Sequence, residues 1–385
     1  YYVSIKENDS NKLAYYCRNC GDIDDAATND EIQCVLNTNF KQEEQKYQHI
    51  INKYIKKLNP DLKILYGGAL ATNLNSDLQN SGVDYVVQGL ADSTIVNIMN
   101  NLKNKTHIKY NLKNNLKVID YDTFAKEFNF PNSQTIYHAS DCFDKSEVLS
   151  LETSRGCLFK CSFCSYPLIG RKKNDPSYHK PSQVIADEIK RNYEMFNVTK
   201  YMFVDDTFNE STKKLEDINN AIQQSGIDIR FSCYLRVDLL NRFPEQIKLL
   251  KEMGVESAFL GIETLNTDVG ASIGKTSQPE KIKSSLELLK NTWGDQVVTF
   301  GSFIAGLPFE TEDTINEWMQ WVYESEMLTG FYLGPLSLTG QFSSEITRNP
   351  EQYGYIVSDN KNKWINNRGL TSDQATKISH DWMNK

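Results

Sequence analysis

Hydrophobic positions change their period several times along the chain. From Val148 onward, short apolar runs alternate with stretches of helical spacing. The runs at 148–153, 200–204, 229–235, 255–262, 297–305 and 331–336 predict strands. Amphipathic helices are expected between them, over about 181–196, 211–224, 244–252, 279–291 and 312–326. Strand then helix, repeated in order, predicts parallel strands joined by crossovers. Six such units favour an α/β fold built as a partial (β/α)6 TIM-type barrel over a flat doubly wound sheet. Trp318, Trp321 and Val322 share a helical face and read as core.

The upstream pattern is weaker. Tyr47, Ile50, Ile51, Tyr54 and Ile55 recur at helical spacing, and Pro60 stops that helix. Ile64–Tyr66 is a short strand closed by Gly67-Gly68. Asp84–Val87 is a second strand broken at Gly89, and a helix follows over about Ser93–Leu102. Strands alternating with helices imply a small, incomplete Rossmann-like lobe in front of the barrel. Residues 103–145 show no clear period and read as a linker. The expected divisions are 1–57, 58–102, 103–145, 146–336 and 337–385. The last is an extension expected to cover the barrel's open side, with Pro350–Gly354 and Trp364 as candidates to line a substrate space.

Composition narrows the function classes. Hydrophobic residues are 39% of the 385, enough to bury a sizeable core. The net charge of −8 supplies no broad basic field, so nucleic acid is an unlikely partner. No apolar run approaches the roughly 20 residues a membrane helix needs. The opening YYVSIKENDSNK lacks the layout of a signal peptide, which makes cytoplasmic the expected location. Eight cysteines cluster rather than spread, and in a reducing compartment that points to metal rather than disulfides.

The densest cluster is Ser154-Arg155-Gly156-Cys157-Leu158-Phe159-Lys160-Cys161-Ser162-Phe163-Cys164, directly after the first barrel strand. Three thiolates spaced C-x3-C-x2-C can hold three irons of a cuboidal [4Fe–4S] cluster and leave the fourth iron open. Zinc wants four ligands, and the nearest histidine, His179, is far from that spacing. Three buried structural cysteines are the remaining alternative.

At these residues the sequence resembles the radical S-adenosylmethionine (SAM) superfamily, over about 148–336. The resemblance implies that the open iron chelates SAM and passes an electron into it, with Cys157, Cys161 and Cys164 as ligands. It further implies that Phe163 packs by the adenine. Asp205 or Asp206, in Phe-Val-Asp-Asp, stands where the family binds the SAM amino group, although the usual Gly-Gly-Glu is absent. Arg236 of Tyr-Leu-Arg-Val-Asp resembles an arginine that grips the SAM carboxylate. Glu263 of Gly-Ile-Glu-Thr resembles a group that reaches the ribose. Gly306, within GSFIAGLPFE, lies in a segment whose backbone lines the adenine. Each has a plainer reading as a helix cap, a surface ion pair, a solvated strand end or a turn. Cys233, on the third strand, can face the barrel interior or serve as a small buried hydrophobe. Arg171-Lys172-Lys173 can meet an anionic substrate or a reductase, or be a solvated loop.

Residues 58–102, through ILYGGALA and DYVVQG, resemble the second half of the cobalamin-binding domain found before many radical SAM barrels. The Asp-x-His-x-x-Gly loop that supplies an axial histidine in that domain is absent, and His49 has no such context. LAYYCRNCGD and CVLNT resemble the N-terminus of a viral RNA polymerase zinc-ribbon subunit. Cys17, Cys20 and Cys34 are then candidate ligands, although the second knuckle is missing. The leading expectation is an enzyme that cleaves SAM reductively for hydrogen abstraction, or for cobalamin-dependent methyl transfer. It would act on a small-molecule or peptide substrate and draw electrons from a flavodoxin- or ferredoxin-like reductant. The alternatives are a transcription-associated ribbon protein and a barrel that has become an inactive scaffold.

Overall fold

The computed structural model describes residues 52–67, 76–88, 91–120, 129–164, 176–275, 278–338, 344–359 and 362–385. Cys17, Cys20, Cys34, His49 and Arg171–Lys173 lie outside the described residues. The zinc-ribbon reading therefore rests on sequence alone. No helix among the described residues is long and apolar enough to cross a membrane.

The chain divides into two compact units. The smaller is built on a four-stranded sheet of β1 (Leu65–Tyr66), β2 (Tyr85–Gln88), β3 (Asn111–Lys113) and β4 (Leu116–Asp120), in the order β1-β2-β4-β3. β1 and β2 are parallel, as the alternation predicted. Helix α1, described over residues 52–58, supplies Lys56, whose Nζ lies 2.7 Å from Asp84 Oδ2. The same oxygen accepts the Ile64 N–H, so one carboxylate ties the helix to the start of β1. The expected linker is partly structured, since β3 and β4 form an antiparallel hairpin. Asn114 and Asn115 turn it at φ of 49° and 59°. That left-handed pair suits the twist of a two-residue hairpin, and Asn tolerates it better than most residues. Two helices follow the first strands, α2 (Ser76–Gln79) and α3 (Asp92–Lys103).

The larger unit carries six parallel strands in consecutive order: β5 (Val148–Leu151), β6 (Lys200–Phe203), β7 (Arg230–Arg236), β8 (Val255–Glu263), β9 (Val298–Ala305) and β10 (Gly330–Pro335). Every neighbouring pair is parallel. The crossovers are α4 (Ser182–Phe196), α5 (Thr212–Ser225), α6 (Val237–Arg242) with α7 (Glu245–Glu252), α8 (Thr267–Ser272) with α9 (Pro279–Trp293), and α10 (Glu312–Ser325). The partial barrel is thus as expected. Only α6 and α8 were not foreseen, because six residues are too few to show a period. Alternate residues of each strand face the helices, as Phe231, Cys233 and Leu235 do on β7. Cys233 is fully buried in that core rather than in the lumen, and burial pushes its thiol pKa up. Trp318 and Val322 are core as read.

The C-terminal extension is integral to the barrel. It contains α11 (Glu345–Arg348), the hairpin β11 (Ile356–Val357) with β12 (Trp364–Ile365), and α12 (Ser372–Met383). In α12, Ser379 Oγ donates to Leu333 O at 2.6 Å, and Trp382 Nε1 donates to Asn316 Oδ1 at 2.8 Å. Trp364 is buried, with its indole N–H on Leu336 O, so it supports the fold instead of lining an open space.

Candidate functional site

The cysteine loop leaves β5 and is held at both ends. Lys180 N–H bonds Thr153 O, and Arg155 N–H bonds Tyr178 O. Gly156 takes φ +80°, a conformation costly for any residue with a Cβ. Further along, Ser162 N–H bonds Ile273 O, and Ile346 N–H bonds Ser162 O. Cys157 and Cys161 are buried, and Cys164 is half-buried. No three His, Cys, Asp or Glu side chains among the described residues converge on a point that would hold a single ion. A cuboidal cluster asks instead for three thiolates at separate corners, and three sulfurs in one loop are the right donor set for it.

Two of these sulfurs have built partners. Thr207 Oγ1 lies 3.1 Å from Cys157 Sγ, and Arg236 Nη1 donates to Cys161 Sγ at 3.0 Å. Phe163 is half-buried against the core beside Cys164.

Asp205 and Asp206 have opposite fates. Asp205 is fully buried and accepts five bonds of 2.5–3.1 Å, from Thr153 N and Oγ1, Ser154 N and Oγ, and Lys214 Nζ. Burial alone would raise its pKa, but Lys214 and the hydrogen bonds hold it below the usual carboxylate range. Its lone pairs are used up, so it anchors the loop and offers SAM nothing. Lys214 also donates to Thr207 O at 2.9 Å, which fixes the residue whose hydroxyl meets Cys157. Phe203 and Phe208 pack at a centroid distance of 4.7 Å and hold the intervening residues between them. Asp206 is raised to about 6, by burial first and then by the charges of Asp205 and Glu152. It keeps acceptor capacity beyond the Gly156 N–H it receives.

Arg236 ends β7, where Asn209 braces it through Oδ1 to its N–H and Nδ2 to its carbonyl. Nε and Nη2 grip Asp238 at 3.0 and 2.7 Å, and the guanidinium lies 3.7 Å from the centre of the Phe159 ring. Asp238 takes the side-on edge of the fork and Cys161 Sγ takes an Nη1 proton, so a SAM carboxylate would have to share the guanidinium. Glu263 ends β8 at φ +67°, beside a shift in strand register. Its Oε1 pairs with Lys275 Nζ at 3.0 Å, so a ribose would have to share it.

Gly306 packs against the C-terminal extension. At φ +95°, a Cβ there would fall 2.3 Å from Trp364 Cη2. Tyr355 OH donates to Gly306 O at 2.8 Å, and Asn366 Nδ2 donates to Leu307 O and Glu310 O. Gly306 N–H and Leu307 N–H both donate to Glu310 Oε2 at 2.9 Å. Burial pushes Glu310 up to about 8, against the lowering effect of the hydrogen bonds it accepts from Leu307, Gly306 and Thr264.

The face of the sheet opposite the helices carries partly exposed side chains. Val204, Tyr234, Phe259 and Tyr332 are 38–44% exposed there. Tyr234 and Phe259 stand in register on adjacent strands, as do Phe259 and Phe300. Thr207, Lys214, Asp238, Lys275 and Glu310 were not singled out from sequence. Asp238 had a signal, since Arg-x-Asp after a strand places both side chains on one rim.

The thiol loop thus follows the first barrel strand, and charged residues end the third and fourth. Residues 151–322 match the sequence model of the Radical SAM superfamily, and the barrel is a radical SAM domain. The domain implies a [4Fe–4S] cluster and SAM.

Among relatives, an uncharacterized methyltransferase of Pyrococcus horikoshii is 34% identical over 166 residues, which are 43% of this chain and 34% of that protein. The hopanoid C-2 methylase of Rhodopseudomonas palustris is 28% identical over 50% of this chain and 36% of its own length. The chain thus spans little more than a third of these relatives. Among solved structures, TsrM of Kitasatospora setae with cobalamin and a [4Fe–4S] cluster bound superposes at TM-score 0.61 and 15% identity, over 82% of this chain and 66% of its own. The cobalamin-dependent enzyme OxsB superposes at 0.54 and 14% identity, over 84% and 49%. These superpositions show a shared fold.

Proposed function

We propose that the chain is a radical SAM enzyme of the methyl-transferring kind, with cobalamin as its second cofactor. The observation that carries the reading is the thiol loop at the end of β5, with Thr207 Oγ1 beside the Cys157 sulfur and Arg236 donating to that of Cys161. Cys157, Cys161 and Cys164 hold the cluster. When bound, the cluster and SAM supply one-electron cleavage of a carbon–sulfur bond. Asp206 takes the SAM amino group, since Asp205 is saturated. Arg236, shared with Asp238 and Cys161, takes the carboxylate, Glu263 shares the ribose with Lys275, and the backbone after β9, with Phe163, borders the adenine. Cobalamin is supported by the parallel β1–β2 pair in the smaller unit and by relatives and fold neighbours that are methylases or hold cobalamin. The exposed rings of the lumen suit a substrate with an apolar face on which aromatic side chains stack. An external flavodoxin- or ferredoxin-like reductant and a cytoplasmic setting complete the reading.

The test is anaerobic reconstitution with iron and sulfide, followed by SAM, hydroxocobalamin and dithionite. About four irons per chain are expected, with 5′-deoxyadenosine or S-adenosylhomocysteine as product. Cys157→Ala should lose the iron. A folded wild-type protein that holds none would overturn the reading.

A further inference from the structure

We propose that Arg236 sets the reduction potential of the cluster by donating to the Cys161 sulfur. This rests on the reading that the cysteine triad holds a [4Fe–4S] cluster. The fit is in the donor set. Cys161 is buried, and the partner on its sulfur is a guanidinium at 3.0 Å rather than a neutral group. That guanidinium is locked. Asp238 holds Nε and Nη2, and the Phe159 ring lies against it at 3.7 Å. Arg236 is itself only 7% exposed. Little water can screen the charge, so its effect on the sulfur is large for its distance.

The direction follows from charge. A one-electron reductant adds a negative charge to the cluster and its thiolates. A fixed cation and an N–H on one of those sulfurs stabilise the reduced form, and the potential rises. Asp238 opposes this, but it sits on the far edge of the guanidinium, away from the sulfur. The two residues should therefore move the potential in opposite directions. A role confined to gripping the SAM carboxylate would leave the SAM-free potential unchanged, which separates the two roles of one side chain.

The experiment is an EPR-monitored redox titration of the reconstituted full chain without SAM, after iron counting. Arg236→Gln should favour the oxidised cluster about tenfold, a fall of roughly 59 mV for one electron. Asp238→Asn should shift the potential upward. SAM affinity, measured separately, reports the carboxylate role. An Arg236→Gln protein with full iron and an unmoved SAM-free potential would refute the inference. Should that variant fail to hold iron, Asp238→Asn decides, with an upward shift supporting the inference and no shift overturning it. A wild-type chain without iron would count against the enzyme reading first.

Discussion

Lys214→Met tests whether the cysteine loop stands on the Asp205 knot. Lys214 Nζ touches Asp205 Oδ2 at 2.8 Å, Ser154 Oγ at 2.6 Å and Thr207 O at 2.9 Å, and both charged side chains are nearly inaccessible. Methionine keeps most of the side-chain length but leaves Asp205 as an uncompensated buried carboxylate. Breaking a buried pair from one side costs about 3–5 kcal/mol. For a barrel of this size, where each kcal/mol moves the midpoint by about 2–4 °C, that is a fall of roughly 6–20 °C. Calorimetry of the apoprotein, with the barrel transition fitted by itself, gives this number. Iron content gives the second, because Ser154 begins the loop and Thr207 meets Cys157. A variant within about 1 kcal/mol of wild type that holds full iron would refute the reasoning.

Other consequences are as direct. Gly306→Ala should cost at least 1–3 kcal/mol, through the positive φ and the clash with Trp364, and should change tryptophan fluorescence; an unaltered spectrum and melting point would contradict the packing. Glu310 has a folded pKa of about 8 against 4.5 for the free group, so the folded state keeps its proton longer. Its contribution is full below about pH 4.5 and is lost as pH rises toward 8, and Glu310→Gln should flatten that slope in urea melts at several pH values. Asp206 should charge near pH 6. SAM binding measured by calorimetry should therefore strengthen as pH rises through that value, and Asp206→Asn should remove the dependence.

The barrel was legible because both of its periods are strong. Each strand and main helix lies within a few residues of its expected bounds. The hairpin at 111–120 was missed because its apolar set, Leu116, Val118 and Ile119, is short and flanked by lysine and asparagine. The proposed cluster ligands, the three cysteines, form a sequence-local pattern that can be read without the fold. Site residues that act through tertiary partners could not be ranked. Asp205 and Asp206 are adjacent and identical in type, and only the fold shows that one faces Lys214 and the other keeps a free lone pair. Gly306 was found for its conformation, but the indole that requires it lies 58 residues away.

That last distance bears on how the chain can be divided. The turn after β9 is held by Tyr355, Trp364, Asn366 and Asn367, all beyond the last barrel strand. A cut after residue 336 would keep every strand and every cysteine and still strip the turn of its outer supports. Domain exchange between related enzymes at that boundary should therefore loosen both this turn and the cysteine loop, whose Ser162 O accepts from Ile346 N–H. The tail has to travel with the barrel it was selected with.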